Sequence, residues 1–463
     1  MRLYHYRNID SALIEIQDGT FHFASREELN DPVEGRLHVF WQGDKPAWQG
    51  LLRNFICSLY NALGFYLIQA DEESIIHKTV MIDVHQSDDK PIGREFQYVG
   101  DQFLADKEID GIAALYGDNN LRVEEKELRM ILTFIHQKAF DLCIRRMKDQ
   151  QLIPVEIADD ILSKRTTKRI EFPHEIMQAG LPDEKHRKMI ASSAEEAMED
   201  IIEMSYLDIG SIEEHFLLGE KEYILDEGRA RRLWMMISVD FPKLYVSQLE
   251  DMLYPEAYTV CFSAKDNDSA MWGNYADNHK GVCLVYETDE ENQIRVAGQM
   301  NVAKSIDYDA SIIKRNFFET FGRLTYKQIK SWLTGTEGVS KNLEAFSDRK
   351  AWREAYWAAF NAKSYQKLKA WKHEEEYRIV ISNYFQGYND PKSRNLQFDQ
   401  KSMKGVIFGI KTSEYDKKQI VDALRKKRDK LGDIKFYQAE FDDDEQAIKT
   451  REKKMWKFGG ATE

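Results

Sequence analysis

Residues 258–287, YTVCFSAKDNDSAMWGNYADNHKGVCLVYE, restrict the fold more than any other part of the chain. TVCFS is β-branched and aromatic, KDND and the serine after it are turn and N-cap residues, AMWGNYA has helical reach, and GVCLVYE is β again. The predicted order is strand, loop, short helix, turn, strand. Both apolar runs need burial, so the connections between them would present Ser263, Asn274, Tyr275, Asp277, His279 and Lys280 at a sheet edge. Cys261 and Cys283 fall inside the two strands, where cysteine is usually a small buried hydrophobe.

Two strands do not make a stable sheet, and the same grammar recurs at both ends of the chain. Near the start, residues 3–6 (LYHY) read as a strand, and Asp10 or Ser11 caps a helix over 12–17 that Gly19 stops. A strand over 20–24 and a capped turn over 25–29 follow, ended by Asn30-Asp31-Pro32 because the residue before proline is driven out of the helical region. Beyond 287, strands are predicted over 294–296 and 302–308, then a helical interlude over 310–371 with Trp332, Trp352 and Trp357 as core anchors. Residues 373–383 (HEEEYRIVISN) alternate as a strand, with Tyr377, Ile379 and Ile381 on one face and Glu374, Glu376 and Arg378 on the other. A strand over 405–409, a helix over 413–429 and a strand over 434–439 close the sheet, and the charged stretch from Phe441 is expected to be only partly ordered.

Between these ends, residues 45–250 carry long charged amphipathic patterns of helical period, clearest over 123–149 and 192–209. The predicted class is α+β: a mixed sheet domain split into residues 1–44 and 254–440 by an inserted helical unit over 45–253, with a charged C-terminal tail over 441–463. At 463 residues the chain exceeds one ordinary core, which agrees with such a division.

Charge and cysteine spacing exclude several functions. A formal net charge of −14 repels a phosphate backbone, and KRTTKR (164–169), RARR (229–232) and RKKRDK (425–430) read as solvated helix faces. Generic nucleic-acid binding is therefore not expected. The cysteines stand far apart without CxxC pairing, which disfavours zinc and a disulfide framework. The longest apolar stretch, 55–70, is interrupted by Ser58, Asn61 and Gly64, and no leader-like N-terminus precedes it, so a cytoplasmic protein outside the membrane is expected. GxGxxG, GxxxxGK and GxSxG are all absent, which removes Rossmann dehydrogenases, kinases and serine hydrolases of those types.

What remains is a scattered constellation: His5, Tyr4 or Tyr6, Asn30, Asp31, Glu34, Ser263, Tyr275, His279, Glu374, Glu376 and Arg378. A carboxylate on a strand can steady a developing cation, while histidine and tyrosine can hold a ribose and stack on a flat ring. Those needs match transfer at a ribosyl carbon. A metal-dependent nuclease or phosphodiesterase is the rival, since His5, Asp31, Glu34, His279, Glu374 and Glu376 are all legal ligands, but no HExxH or paired-Asp spacing singles out a metal and none is predicted. A non-catalytic sensor or interaction module is the third possibility.

Four motifs in order, LYHY at 3–6, LNDPVE at 29–34, the 258–287 stretch and KAWKHEEEYRIVIS at 369–382, resemble the bacterial domain-of-unknown-function family numbered twenty-nine seventy-one. The resemblance covers roughly residues 1–40 and 254–440 and leaves out the helical insertion. The layout of these motifs is in turn similar to the ADP-ribosyltransferase-like fold. That similarity implies NAD as the substrate and NAD-dependent ADP-ribosyl transfer or NAD cleavage as the activity, in a toxin-like effector of bacterial phage defence. It implies His5 on the nicotinamide-side ribose, Tyr275 with Tyr6 stacked on the nicotinamide and Ser263 supporting the pocket. Asn30, His279 and Arg378 would complete the cofactor lining. Glu376 would stabilise an oxocarbenium-like transition state through the ribose 2′-hydroxyl, with Glu374 orienting an unidentified macromolecular acceptor. The chain departs from that layout in having Ser263 within CFSA and a third acid, Glu375, between the other two.

Overall fold

The computed structural model describes residues 1–31, 34–35, 37–68, 80–81, 91–118, 120–165, 182–208, 227–384 and 387–454. Pro32 and residues 166–169 of KRTTKR lie outside them. The chain forms two compact units: one takes Met1–Leu37, Pro255–Ile313 and Ala358–Glu463, the other His38–Tyr254 and Lys314–Trp357.

The first unit is built on a mixed sheet of eight strands. In chain order these are β1 (Arg2–Arg7), β2 (Ala257–Ser263), β3 (Val282–Glu287), β4 (Lys304–Ser305), β5 (Glu376–Ser382), β6 (Met403–Phe408), β7 (Lys435–Asp442) and β8 (Ala447–Glu452). Their spatial order is β8-β7-β6-β3-β1-β2-β5-β4. Every neighbouring pair is antiparallel except β6 and β7, which run parallel because the helix Glu414–Lys426 carries the chain back between them. β1, the earliest strand, lies between β3 and β2, with Tyr4 opposite both Val285 and Ser263.

Alternation along these strands divides the apolar residues between two faces. On one face Leu3, Val260, Phe262, Leu284 and Val406 pack under Ala12, Phe21, Ile420 and Leu424. On the other, Tyr6, Cys283, Val285 and Ile407 pack under Met271 and Trp272 of the short helix Ser269–Tyr275. Trp272 is wholly buried and its indole N–H donates to the Asp266 carbonyl at 2.9 Å, so the helix is anchored at both its apolar and its polar end. After that helix, Asp277, Asn278 and His279 all adopt left-handed φ (46°, 52° and 70°). Gly281 then enters β3 so close to β1 that a Cβ there would stand 2.2 Å from the Arg7 carbonyl oxygen.

Several elements differ from the sequence reading for local reasons. The first helix is Ile9–Ile14, started earlier because the Asn8 side chain accepts from the Ser11 N–H at 2.8 Å, and it continues as a π-helical turn, Glu15–Gly19. Thr20–His22 pairs with Asn395–Gln397 in a separate two-stranded sheet. The charged stretch after Phe441 includes the ordered edge strand β8, whose Ile448 reaches the core while Lys449 and Arg451 face solvent and pair with Asp442 and Glu440.

The second unit is mainly helical. Helix Lys45–Leu67 runs through its interior, burying Trp48, Leu51, Leu52, Phe55, Ile56, Leu59 and Leu63, and is therefore apolar on more than one face. Helices Pro91–Leu104, Lys107–Asp118 and Glu125–Asp149 pack against it. A small sheet of Lys314–Asn316, His38–Trp41 and Val123–Glu124 joins them. Of the three tryptophans expected as anchors, only Trp332 is buried; Trp352 and Trp357 are half-buried, and Tyr356 between them is the core residue. Among the described residues, no helix is long and apolar enough to cross a membrane.

Candidate functional site

β5 places its polar residues by register. Glu376 stands opposite Ser263 and Arg378 opposite Cys261, and Tyr4 on β1 is also opposite Ser263. Tyr4, Cys261, Ser263, Glu376 and Arg378 therefore share the face that carries the helix Ser269–Tyr275. The strand does not extend back to His373. Residues Lys369–Glu374 form a 3-10 turn that ends at Glu375 in left-handed conformation (φ 42°), so alternation does not govern Glu374. Glu374 nonetheless arrives beside Glu376, because the turn folds its side chain back into the same cluster. Glu375 leaves it, pairing with Lys265 at 2.6 Å on the half-exposed rim.

At the centre is Lys367, from the link between the helix Arg349–Ser364 and that 3-10 turn. Its ammonium lies 2.6 Å from Glu374 Oε2, 2.8 Å from Glu376 Oε2 and 3.8 Å from Glu34 Oε2. Arg378 bridges in the other direction, pairing with Glu376 through Nε and with Glu34 through its terminal nitrogen, and donating to the Ser364 carbonyl at 3.2 Å. The five side chains are each at most 5% exposed. Three carboxylates and two cations thus share one desolvated volume.

Burial opposes the charged form of Glu376, but Arg378 and Lys367 outweigh it and hold the carboxyl down at about 2. Glu34 goes the other way. Its burial and the neighbouring Glu376 push it up further than Arg378 and Lys367 pull it down. Burial alone would lower Lys367, yet Glu376, Glu34 and Glu374 raise it, so the ammonium stays charged. The Cys261 thiol, beside Glu376, is pushed far up by burial and by that carboxylate, which removes it as a nucleophile.

Hydroxyl groups surround the carboxylates. The Tyr275 hydroxyl donates to Glu374 Oε1 at 2.8 Å and also hydrogen-bonds the Asn30 side chain. The Tyr308 hydroxyl accepts the Glu376 backbone N–H at 2.8 Å. Ser263 donates to the Glu374 carbonyl at 2.7 Å and accepts the Lys265 N–H at 3.0 Å, and the Tyr6 hydroxyl donates to the Lys265 carbonyl at 2.8 Å. Ser263 and Tyr6 thus fix the backbone around the acids without touching them. Asp31 is buried on the same N-terminal segment as Glu34, Asn30 is exposed and Tyr275 is half-buried, so the open side of the cluster lies at Asn30 and Tyr275.

His5 does not join this group. It projects from the opposite face of the sheet, 5.0 Å from the Phe262 ring, with Nδ1 3.0 Å from Glu15. Glu15 also accepts from Arg7 at 3.0 Å and from the Tyr286 hydroxyl. Burial and Arg7 lower His5 and keep the imidazole neutral, so Nδ1–H donates to Glu15. Glu15, which burial would raise, is held at about 2 by His5, Arg7 and Tyr286. His279 stays with the left-handed turn, its ring parallel to Trp272 at 6.4 Å and its backbone N–H on the Trp272 carbonyl. No contact links it to Glu374 or Glu376 among the described residues. Of the residues considered as metal ligands, His5 and His279 are thereby separated from Glu34, Glu374 and Glu376, and among the described residues no group of three or more His, Cys, Asp or Glu side chains is disposed to hold a metal ion.

Sequence reasoning missed Lys367 and Tyr308. Each lies in a connection, where no periodicity says which way a side chain points.

Residues 271–379 match the model of a family described as a protein of unknown function (DUF2971), the family that the four motifs resemble. No curated protein and no solved structure matches the chain.

Proposed function

We propose that the cluster around Glu376 is the centre of an NAD-dependent ADP-ribosyl transfer or NAD-cleaving reaction. The observation that carries this reading is a carboxylate held ionised in a desolvated site at the first residue of a rigid strand. Such a group can stabilise positive charge developing at a ribosyl carbon, and does so more strongly than it would in water. Glu374 adds a second carboxylate alongside, and Tyr275 and Asn30 offer a ring and an amide at the open side. His5 has no part in the proposed site, and the face it would have served belongs to Tyr275 and Asn30.

Release of nicotinamide from NAD by the purified protein tests the reading. Wild type should release it, and Glu376→Gln, shown to be folded by circular dichroism, should be slower by about a hundredfold or more. A toxin-like role predicts that wild-type expression slows bacterial growth and that Glu376→Gln does not. If folded wild-type protein neither releases nicotinamide nor transfers label from NAD to any cellular component, the reading is abandoned. A second reading has its own support: every carboxylate of the cluster is already paired with a cation, as in a purely structural network. In an interaction module of that kind, Glu376→Gln would leave the growth effect intact.

A further inference from the structure

We infer that Lys367 is a positioning residue of this site, a single ammonium that holds Glu374 and Glu376 side by side with their inner oxygens turned toward one point. The inference rests on the proposed reaction for its purpose and on geometry for its substance. The two carboxylates arrive from different conformations, Glu374 from the end of a 3-10 turn and Glu376 from the first position of β5, with left-handed Glu375 between them. Nothing in the backbone alone requires their side chains to converge, and like charges this close repel. Lys367 contacts both, at 2.6 Å and 2.8 Å, through the Oε2 atom of each. The outer oxygens are taken by different partners, Tyr275 on Glu374 and Arg378 on Glu376.

The lysine is itself aimed. Its link is fixed to the segment after β4, where the Asp307 N–H donates to the Tyr365 carbonyl at 2.8 Å, and its ammonium lies 5.0 Å from the centre of the Trp371 ring. Arginine would reach the same carboxylates with a fork, while a neutral chain of similar length would fill the space without the charge.

The groups facing Lys367 decide what its removal does. They are Glu374 from the 3-10 turn, Glu376 and Arg378 from β5, Glu34 from the N-terminal segment, with Tyr275, Tyr308 and Cys261 around them. With Lys367 present, Glu34 is the member pushed toward its protonated form and Glu376 is held ionised. Without it, Arg378 alone faces three carboxylates held close together, which favours proton uptake by the cluster.

The experiment compares Lys367→Met with Lys367→Arg. Infrared spectra in the carboxyl-stretch region at neutral pH read protonated carboxyl groups without reference to any activity. Lys367→Met should show an additional protonated carboxyl, Lys367→Arg should not, and the added signal should vanish in Lys367→Met combined with Glu374→Gln. In the nicotinamide-release assay, Lys367→Met should lose kcat by tenfold or more and move the acid limb of the pH profile upward, while Lys367→Arg restores most of both. A folded Lys367→Met with wild-type infrared and an unshifted pH profile overturns the inference. Should Lys367→Met fail to fold, the double variant should regain folding, because a charge pair is then removed together; a double variant no better than the single one also overturns it. An infrared change in a protein whose wild type releases no nicotinamide keeps the inference and discards the reaction.

Discussion

Two buried charge clusters sit on opposite faces of one sheet, and they are built differently. The Glu15 cluster draws His5 and Arg7 from β1, eight to ten residues away in sequence, and among the described residues adds Tyr286 from afar. It is enclosed by Phe21, Phe262 and Tyr286 rings, and its single carboxylate is fully served. The Glu376 cluster gathers Glu34, Lys367, Glu374, Glu376 and Arg378 from three parts of the chain and has more carboxylates than cations. One closes a strand onto its own helix. The other holds a charge imbalance against an open side at Asn30 and Tyr275, which is the arrangement expected where polarity serves chemistry and not packing alone.

The largest test of that contrast is Arg378→Met. It strips a partner from Glu34 and Glu376 at once, and breaking a buried ion pair from one side costs about 3–5 kcal/mol, read from the shift in urea unfolding. A loss under about 1 kcal/mol would mean that water reaches the cluster and that its charges are screened as surface pairs are. Next comes a pair of opposed substitutions. Glu376→Gln should abolish most nicotinamide release, whereas Tyr286→Phe should leave release unchanged and cost about 1–3 kcal/mol of stability by unmaking a buried hydrogen bond to Glu15. Equal effects of the two on release would erase the distinction between the faces.

Acid and base should also separate them. His5 is lowered from 6.5 and Glu15 from 4.5 to about 2, so the stability they contribute is complete above the higher value and is lost as pH falls, from 6.5 downward for His5 and from 4.5 toward 2 for Glu15. Glu34 is raised from 4.5, so its contribution is complete below 4.5 and declines as pH climbs through its folded value. Unfolding free energies measured across this range should therefore show His5→Gln flattening the acid side and Glu34→Gln flattening the decline above 4.5. The smallest expected effect is that of Tyr275→Phe, which removes one half-buried hydroxyl from Glu374 and should cost about 1 kcal/mol with a severalfold loss of release.

How much of this was legible follows from what alternation can and cannot say. The strand, helix, strand order of 258–287 was plain, and β2, the helix Ser269–Tyr275 and β3 realise it. Alternation along EYRIVIS put Glu376 and Arg378 on one face, as found. The same alternation along LYHY sets His5 apart from Tyr4 and Tyr6, but only the pairing of Tyr4 with Ser263 reveals which of them share a face with Glu376. Glu374 reached the cluster through a left-handed residue that propensity does not flag for glutamate, and Lys367 through a connection with no period at all. β8 was hidden because an edge strand protected by lysine and arginine reads like a solvated tail.

Neither unit is continuous along the chain, and this sets a timetable for synthesis. β1 leaves the ribosome well before its partners β2 and β3, with Tyr4 standing 259 positions ahead of the Ser263 it pairs with. Contacts so distant in sequence form slowly and leave the waiting strand exposed to chaperones. The mainly helical unit can finish once Trp357 has emerged, whereas Lys367, Glu374, Glu376 and Arg378 follow only afterwards. A chain that stops before Lys367 therefore carries no assembled cluster. Whatever chemistry the site performs is withheld until the chain has been made through Arg378.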